Sequence, residues 1–167
     1  MTEAAARRVL VAGLGNPDRG DDGIGPLVIK KLAGLLPADV AVAPANADVL
    51  TLMLEWADFD AVICVDAAAP LTTAGRIHRF NLATDDLPRD RPPASSHAVS
   101  LADAIKLSRV LRQAPRDIIV FAVEGASFAA GSAMGPDVAG AAADVVGRVV
   151  AEVIRLRQNF NDLAADT

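Results

Sequence analysis

Ala61-Val62-Ile63-Cys64-Val65-Asp66 is an unbroken apolar run closed by a carboxylate. Side chains of a strand alternate between its two faces, so a run apolar at every position must be covered on both sides. The segment is therefore expected to be a central strand of a parallel sheet flanked by helices. Arg8 to Leu14 and Asp117 to Val123 read as buried strands of the same kind, and Val40 to Ala43 as a shorter one. Arg76-Ile77-His78-Arg79-Phe80 alternates instead, which predicts an exposed or edge strand.

Helical periodicity fills the intervals. Ile24, Leu27, Val28, Leu32, Leu35 and Leu36 recur at helical spacing from about Gly23, and Pro37 stops that helix. Asp48 is placed to cap a helix through Leu52, Met53 and Trp56, and Ser100 one through Ile105 and Leu111. Pro136 opens a final helix to about Arg157, with residues 1–7 and 159–167 expected to fray. Asp85 to Ser96, carrying Pro88, Pro92 and Pro93, is expected to be an irregular loop. Strands alternating with helices predict an α/β fold: one domain over residues 1–167, a three-layer α/β/α sandwich around a mostly parallel, about five-stranded sheet. Sites in such sheets gather beyond the C-terminal strand ends. Function is thus sought in the loops after Leu14, Val65 and Val123, and in the proline-rich stretch.

Composition narrows the classes. Hydrophobic residues make up 52% of the 167, enough for a core, and the net charge of −5 opposes an electrostatic grip on nucleic acid. Cys64 is the one cysteine, so no intrachain disulfide forms, as suits a cytoplasmic protein. Residues 1–8 lack the basic-then-apolar order of a signal peptide, and no run nears the ~18 apolar residues of a membrane span. A cytoplasmic monomer without membrane contact is expected.

The loop Gly13-Leu14-Gly15-Asn16-Pro17-Asp18-Arg19-Gly20-Asp21-Asp22-Gly23-Ile24-Gly25 resembles a nucleotide loop only at first sight. Asp18 stands where a dinucleotide loop needs glycine, and no GK[ST] follows. Asp18, Asp21 and Asp22 crowd a helix N-terminus that would otherwise attract phosphate. Two unit charges ~4 Å apart interact by about 4 kcal/mol at an effective dielectric of 20, so a phosphate is repelled and a divalent cation welcomed. One aspartate can simply cap the helix, but two adjacent ones leave the second for the cleft.

Asp66 ends the central apolar run at the mouth of the crevice, and His97 follows the prolines in Ser95-Ser96-His97. Asp22, Asp66 and His97 together offer two carboxylates and an imidazole from three loops, a donor set suited to zinc, nickel, iron or manganese with room for water or substrate. The plainer alternatives are a strand-end aspartate bonded to loop amides and a solvated histidine. His78, on the alternating strand, fits the latter. Cys64 reads as a small core hydrophobe. Glu124-Gly125-Ala126-Ser127 is expected to line the same crevice, and Ser127 lacks a nucleophile-elbow context.

These segments in this order resemble the hydrogenase maturation proteases: the Gly-x-Gly-Asn loop ending Asp21-Asp22-Gly23-Ile24-Gly25, Val65-Asp66-Ala67, Ser96-His97 before Leu101-Ala102-Asp103, then Glu124-Gly125-Ala126-Ser127 and Gly135-Pro136. The resemblance covers about Arg8 to Val153. It implies a phosphorylase/hydrolase-like α/β/α fold and an endopeptidase, of the aspartyl kind, that removes the C-terminal extension of a nickel-loaded [NiFe] hydrogenase large-subunit precursor. By resemblance, Asp22, Asp66 and His97 are both the catalytic and the metal-contacting residues. The nickel is supplied by the precursor, and no permanently bound cofactor is expected. Gly15, Asn16, Asp48, Glu124, Gly125 and Ser127 are the expected substrate contacts, Asp48 standing in for an acidic turn that Pro44-Ala45-Asn46-Ala47 replaces here.

Two other functions fit parts of the pattern. Peptidyl-tRNA hydrolase also opens with a strand and Gly-Leu-Gly-Asn-Pro, but its Arg-His-Asn segment is missing and the acidic balance suits tRNA poorly. A non-catalytic nickel-site chaperone for the same precursor would use the same three ligands.

Overall fold

The computed structural model describes residues 8–45, 47–82, 85 and 100–165, the last seven of these by backbone only. The chain runs β1 (Val9–Gly13), a 3-10 turn (Gly20–Gly23), α1 (Ile24–Lys31), β2 (Ala41–Val42), α2 (Val49–Trp56), β3 (Ala61–Ala68), β4 (Ile77–Asn81), α3 (Leu101–Val110), β5 (Asp117–Glu124) and α4 (Pro136–Ala165). The five strands among the described residues form one sheet in the order β2-β1-β3-β5-β4. All pairs are parallel except β4 with β5, so the alternating segment is the antiparallel edge strand.

Strand alternation divides the core into two layers. Val9, Val11, Ile63, Val65, Ile119 and Phe121 pack against Ile24 and Val28 of α1 and Val138, Val145 and Val149 of α4. Leu10, Ala12, Val62, Cys64, Ile118 and Val120 face Leu52, Met53 and Trp56 of α2 and Leu101 and Ile105 of α3. This is the expected α/β/α sandwich. Gly25 lets α1 sit directly on the strand ends, since a Cβ there would lie 2.2 Å from the Leu14 carbonyl oxygen and 2.8 Å from that of Val65.

Both expected helix caps are present: the Asp48 carboxylate accepts from the Thr51 N–H, and Ser100 Oγ accepts from the Asp103 N–H. Three boundaries differ from expectation. The first helix ends at Lys31 rather than near Leu36, because Gly34 turns the chain with φ +77° and leaves Leu35 exposed. The central strand continues past Val65 to Ala68, so Asp66 pairs in register with Ala122 inside the ladder instead of following it. The last helix runs well beyond Arg157, to Ala165.

Candidate active site

The strand order places β2 on one side of β1 and β3 on the other. Successive connections therefore leave the sheet in opposite directions between β1 and β3, and a crevice opens at their C-terminal ends. Both sides of that crevice carry a carboxylate. Gly13 is in register with Val65, and the Leu14 N–H donates to the Val65 carbonyl at 2.8 Å, which ties the start of the acidic loop to the residue before Asp66.

Asp22 reaches this point from the 3-10 turn and is 1% exposed. Its Oδ2 accepts the Asn16 N–H at 2.8 Å, while its Oδ1 is buried with no hydrogen-bond partner among the described residues. A buried polar group without a partner costs roughly 1–3 kcal/mol, and more when charged. Gly15 makes the fit possible: its φ of +114° is a conformation other residues rarely adopt, and a Cβ would meet the Asp22 carbonyl oxygen at 2.0 Å.

Asp66 is half-buried at the surface of the crevice but deep among protein atoms, and among the described residues its Oδ1 accepts the neighbouring Ala67 N–H at 2.9 Å. Burial first, and the negative charge of Asp22 second, push its pKa up to about 7 against the small opposing pull of that N–H. Among the described residues, the two carboxylates thus share a site with few donors. Cys64, two residues earlier, is fully buried, and burial followed by the Asp66 charge pushes its thiol well above the ordinary range, so it is a core hydrophobe.

Asp21 and Glu124 are equally buried and differently served. The Asp21 carboxylate accepts the N–H groups of Ala126 (2.7 Å), Ser127 (3.0 Å) and Gly135 (2.7 Å). Burial alone would raise its pKa, but these amides together hold it below the usual carboxylate value. Glu124 Oε2 accepts three successive N–H groups, from Leu71, Thr72 and Thr73, and Oε1 lies 2.6 Å from His78 Nε2. Again burial opposes, yet the amides and the imidazole bring the pKa down to about 2. His78 is thus no solvated bystander: it ties the edge strand β4 to the end of β5.

The model of the hydrogenase maturation protease (HycI) family matches residues 26–154, more than half of the chain. The chain belongs to the hydrogenase maturation protease family. As a maturation protease it is a peptide-bond hydrolase. Solved structures agree on the fold. The hydrogenase-maturating endopeptidase HybD of Escherichia coli superposes with a TM-score of 0.73 at 22% identity, over 89% of this chain and 93% of that one. An endopeptidase from Escherichia coli gives 0.72 at 24%, over 86% and 90%. The [NiFe] hydrogenase maturation protease HybD of Thermococcus kodakarensis gives 0.66 at 22%, over 90% and 99%. No curated protein matches the sequence.

Within this maturation protease, Asp22 and Asp66 come together as the sequence predicts, and His97 lies outside the described residues. Among the described residues no cluster of three or more His, Cys, Asp or Glu is poised as a complete metal site. Gly15 and Asn16 line the crevice beside Asp22. The expected substrate contact at Glu124 meets a geometric obstacle, because both its oxygens are engaged inside the chain and the residue is fully buried. Asp48 is exposed, but both its oxygens bind Thr51, through the N–H at 2.9 Å and the hydroxyl at 2.8 Å. Ser127 is exposed, with its main chain held by Asp21 through both N–H and carbonyl. The clamp formed by Asp21 escaped sequence reading because its partners lie more than a hundred residues away. Gly125, Gly131 and Gly135 in the distant loop were its only trace.

Proposed function

We propose that this maturation protease removes the C-terminal extension of a nickel-loaded [NiFe] hydrogenase large-subunit precursor, in the cytoplasm and as a monomer. Asp22, Asp66 and His97 clasp the nickel that the precursor brings, which seats the scissile bond at the crevice, with Gly15, Asn16 and Ser127 along the path of the tail and the buried Gly125 beneath it. The observation that carries this reading is Asp22 Oδ1, buried beside Asp66 and without a partner among the described residues. A divalent cation relieves both the unmet oxygen and the repulsion between the carboxylates, and it releases the proton that Asp66 holds near neutrality. Oxygen and imidazole donors of this kind suit nickel.

The test is the intact mass of a cognate precursor, with and without nickel, incubated with this protein and with its His97→Ala variant. Loss of a C-terminal peptide only with nickel, and only with the unaltered protein, is the expected result. An unchanged mass on a nickel-loaded precursor that still binds would overturn cleavage and leave a chaperone.

A further inference from the structure

Asp21 adjoins Asp22 but sends its carboxylate across to the loop after β5. It caps no helix; its three donors lie on Ala126, Ser127 and Gly135, and its own N–H donates to the Ser127 carbonyl at 2.9 Å. Both neighbours of the contact are cross-linked as well: the Gly20 N–H donates to the Ser132 carbonyl at 3.1 Å and the Gly131 N–H to the Asp18 carbonyl at 2.7 Å. The fit leaves no slack, since a Cβ on Gly125 would lie 2.8 Å from Asp21 Cβ and one on Gly135 3.3 Å from Asp21 Oδ1.

Asp22 is therefore held between two fixed points. On one side the Asn16 N–H and the close approach of Gly15 fix its carboxylate; on the other, the peptide bond to Asp21 fixes its backbone. Both Asp21 oxygens already accept backbone N–H groups, so its carboxylate is committed to the contact with the loop after β5. We propose that Asp21 is a positioning residue, which buckles the acidic loop onto the loop after β5 so that the Asp22 carboxylate keeps its place near Asp66. The proposal rests on the reading of Asp22 as the group that meets the precursor's metal.

The test compares Asp21→Asn with the unaltered protein in two measurements. In Asp21→Asn an NH2 group faces amides that need an acceptor, so the buckle loosens while the volume is kept. With nickel-loaded precursor, kcat should fall roughly tenfold to a hundredfold and KM stay within about twofold, as expected when a reacting group is displaced by less than an ångström or so. In the 1H–15N spectrum of the free protein, the Asn16 amide, which reports the Asp22 carboxylate, should shift. Gly135→Ala is the gentler variant: it keeps every donor, presses a methyl on Asp21 Oδ1 and should lower kcat about two- to fivefold with a smaller shift of the same amide. It decides the matter if Asp21→Asn fails to fold. Unchanged kcat in either folded variant, or lost turnover with an unmoved Asn16 amide, would overturn the proposal. If the unaltered protein leaves the precursor intact, the protease reading fails instead, and the amide shift still decides the role of Asp21.

Discussion

Two pairs of carboxylates, three of the four buried and Asp66 half-buried, lie at the C-terminal edge of the same sheet and are treated in opposite ways. At the end of β5, Glu124 and the incoming Asp21 are saturated: each takes three backbone N–H groups, and Glu124 an imidazole besides. At the β1/β3 switch point, among the described residues, Asp22 takes one N–H from Asn16 and Asp66 that of its own neighbour. The chemistry of the groups is the same, so burial by itself does not mark a functional acid. The donor count does. A saturated carboxylate is ionised and rigid, and it joins loops; an underserved one holds its proton or awaits a cation.

The largest effect should come from emptying the saturated site. Glu124→Ala leaves three N–H groups of the Leu71–Thr73 turn and His78 without their acceptor, and should lower stability by about 3–5 kcal/mol in urea unfolding. A loss below about 1 kcal/mol would break the comparison. The linkage sign can be checked with Glu124→Gln. A pKa lowered from 4.5 to about 2 contributes stability that is full above 4.5 and lost as pH falls toward 2. The unaltered protein should therefore lose more stability over that acid window than the variant does.

Next comes the underserved pair. Asp22→Asn should reduce precursor cleavage at least roughly a hundredfold, the range typical of lost electrostatic or proton-transfer groups, yet leave thermal stability equal or higher. Asp66→Asn should behave alike, with a pH signature of opposite sign to that of Glu124. Its pKa is raised from 3.8 to about 7, so the fold favours the protonated form and loses stability as pH rises through that window. The neutral amide escapes this loss. The variant should match the unaltered protein near pH 4 and melt a few degrees higher, about 2–6 °C, at pH 8. A lower melting temperature at pH 8 would show that Asp66 is served by groups beyond Ala67.

The smallest effect sharpens the contrast with an exposed carboxylate. Asp48→Ala removes a helix cap and should cost about 1 kcal/mol of stability, with kcat and KM for the precursor unchanged. A raised KM would restore Asp48 as a contact of the substrate tail.

The sequence by itself determined the architecture. The unbroken apolar run from Ala61 to Val65 requires two covered faces, and the alternation from Arg76 to Phe80 requires an edge; both follow from the two-residue period of a strand. The caps at Asp48 and Ser100 were legible because their partners lie three residues away. The acidic character of the crevice was legible too, since Asp22 lies in the loop after the first strand and Asp66 closes the apolar run near the end of the central one, although that strand runs on to Ala68. Only the tertiary structure decided which of the two adjacent aspartates is structural. Asp21 and Asp22 have the same side chain and nearly the same neighbours in sequence. Their roles part because the N–H groups of Ala126, Ser127 and Gly135 reach one and not the other. The same holds for Glu124, whose donors come from a turn some fifty residues earlier. The amides that serve Asp21 and Glu124 belong to backbone distant along the chain, so no local pattern encodes them.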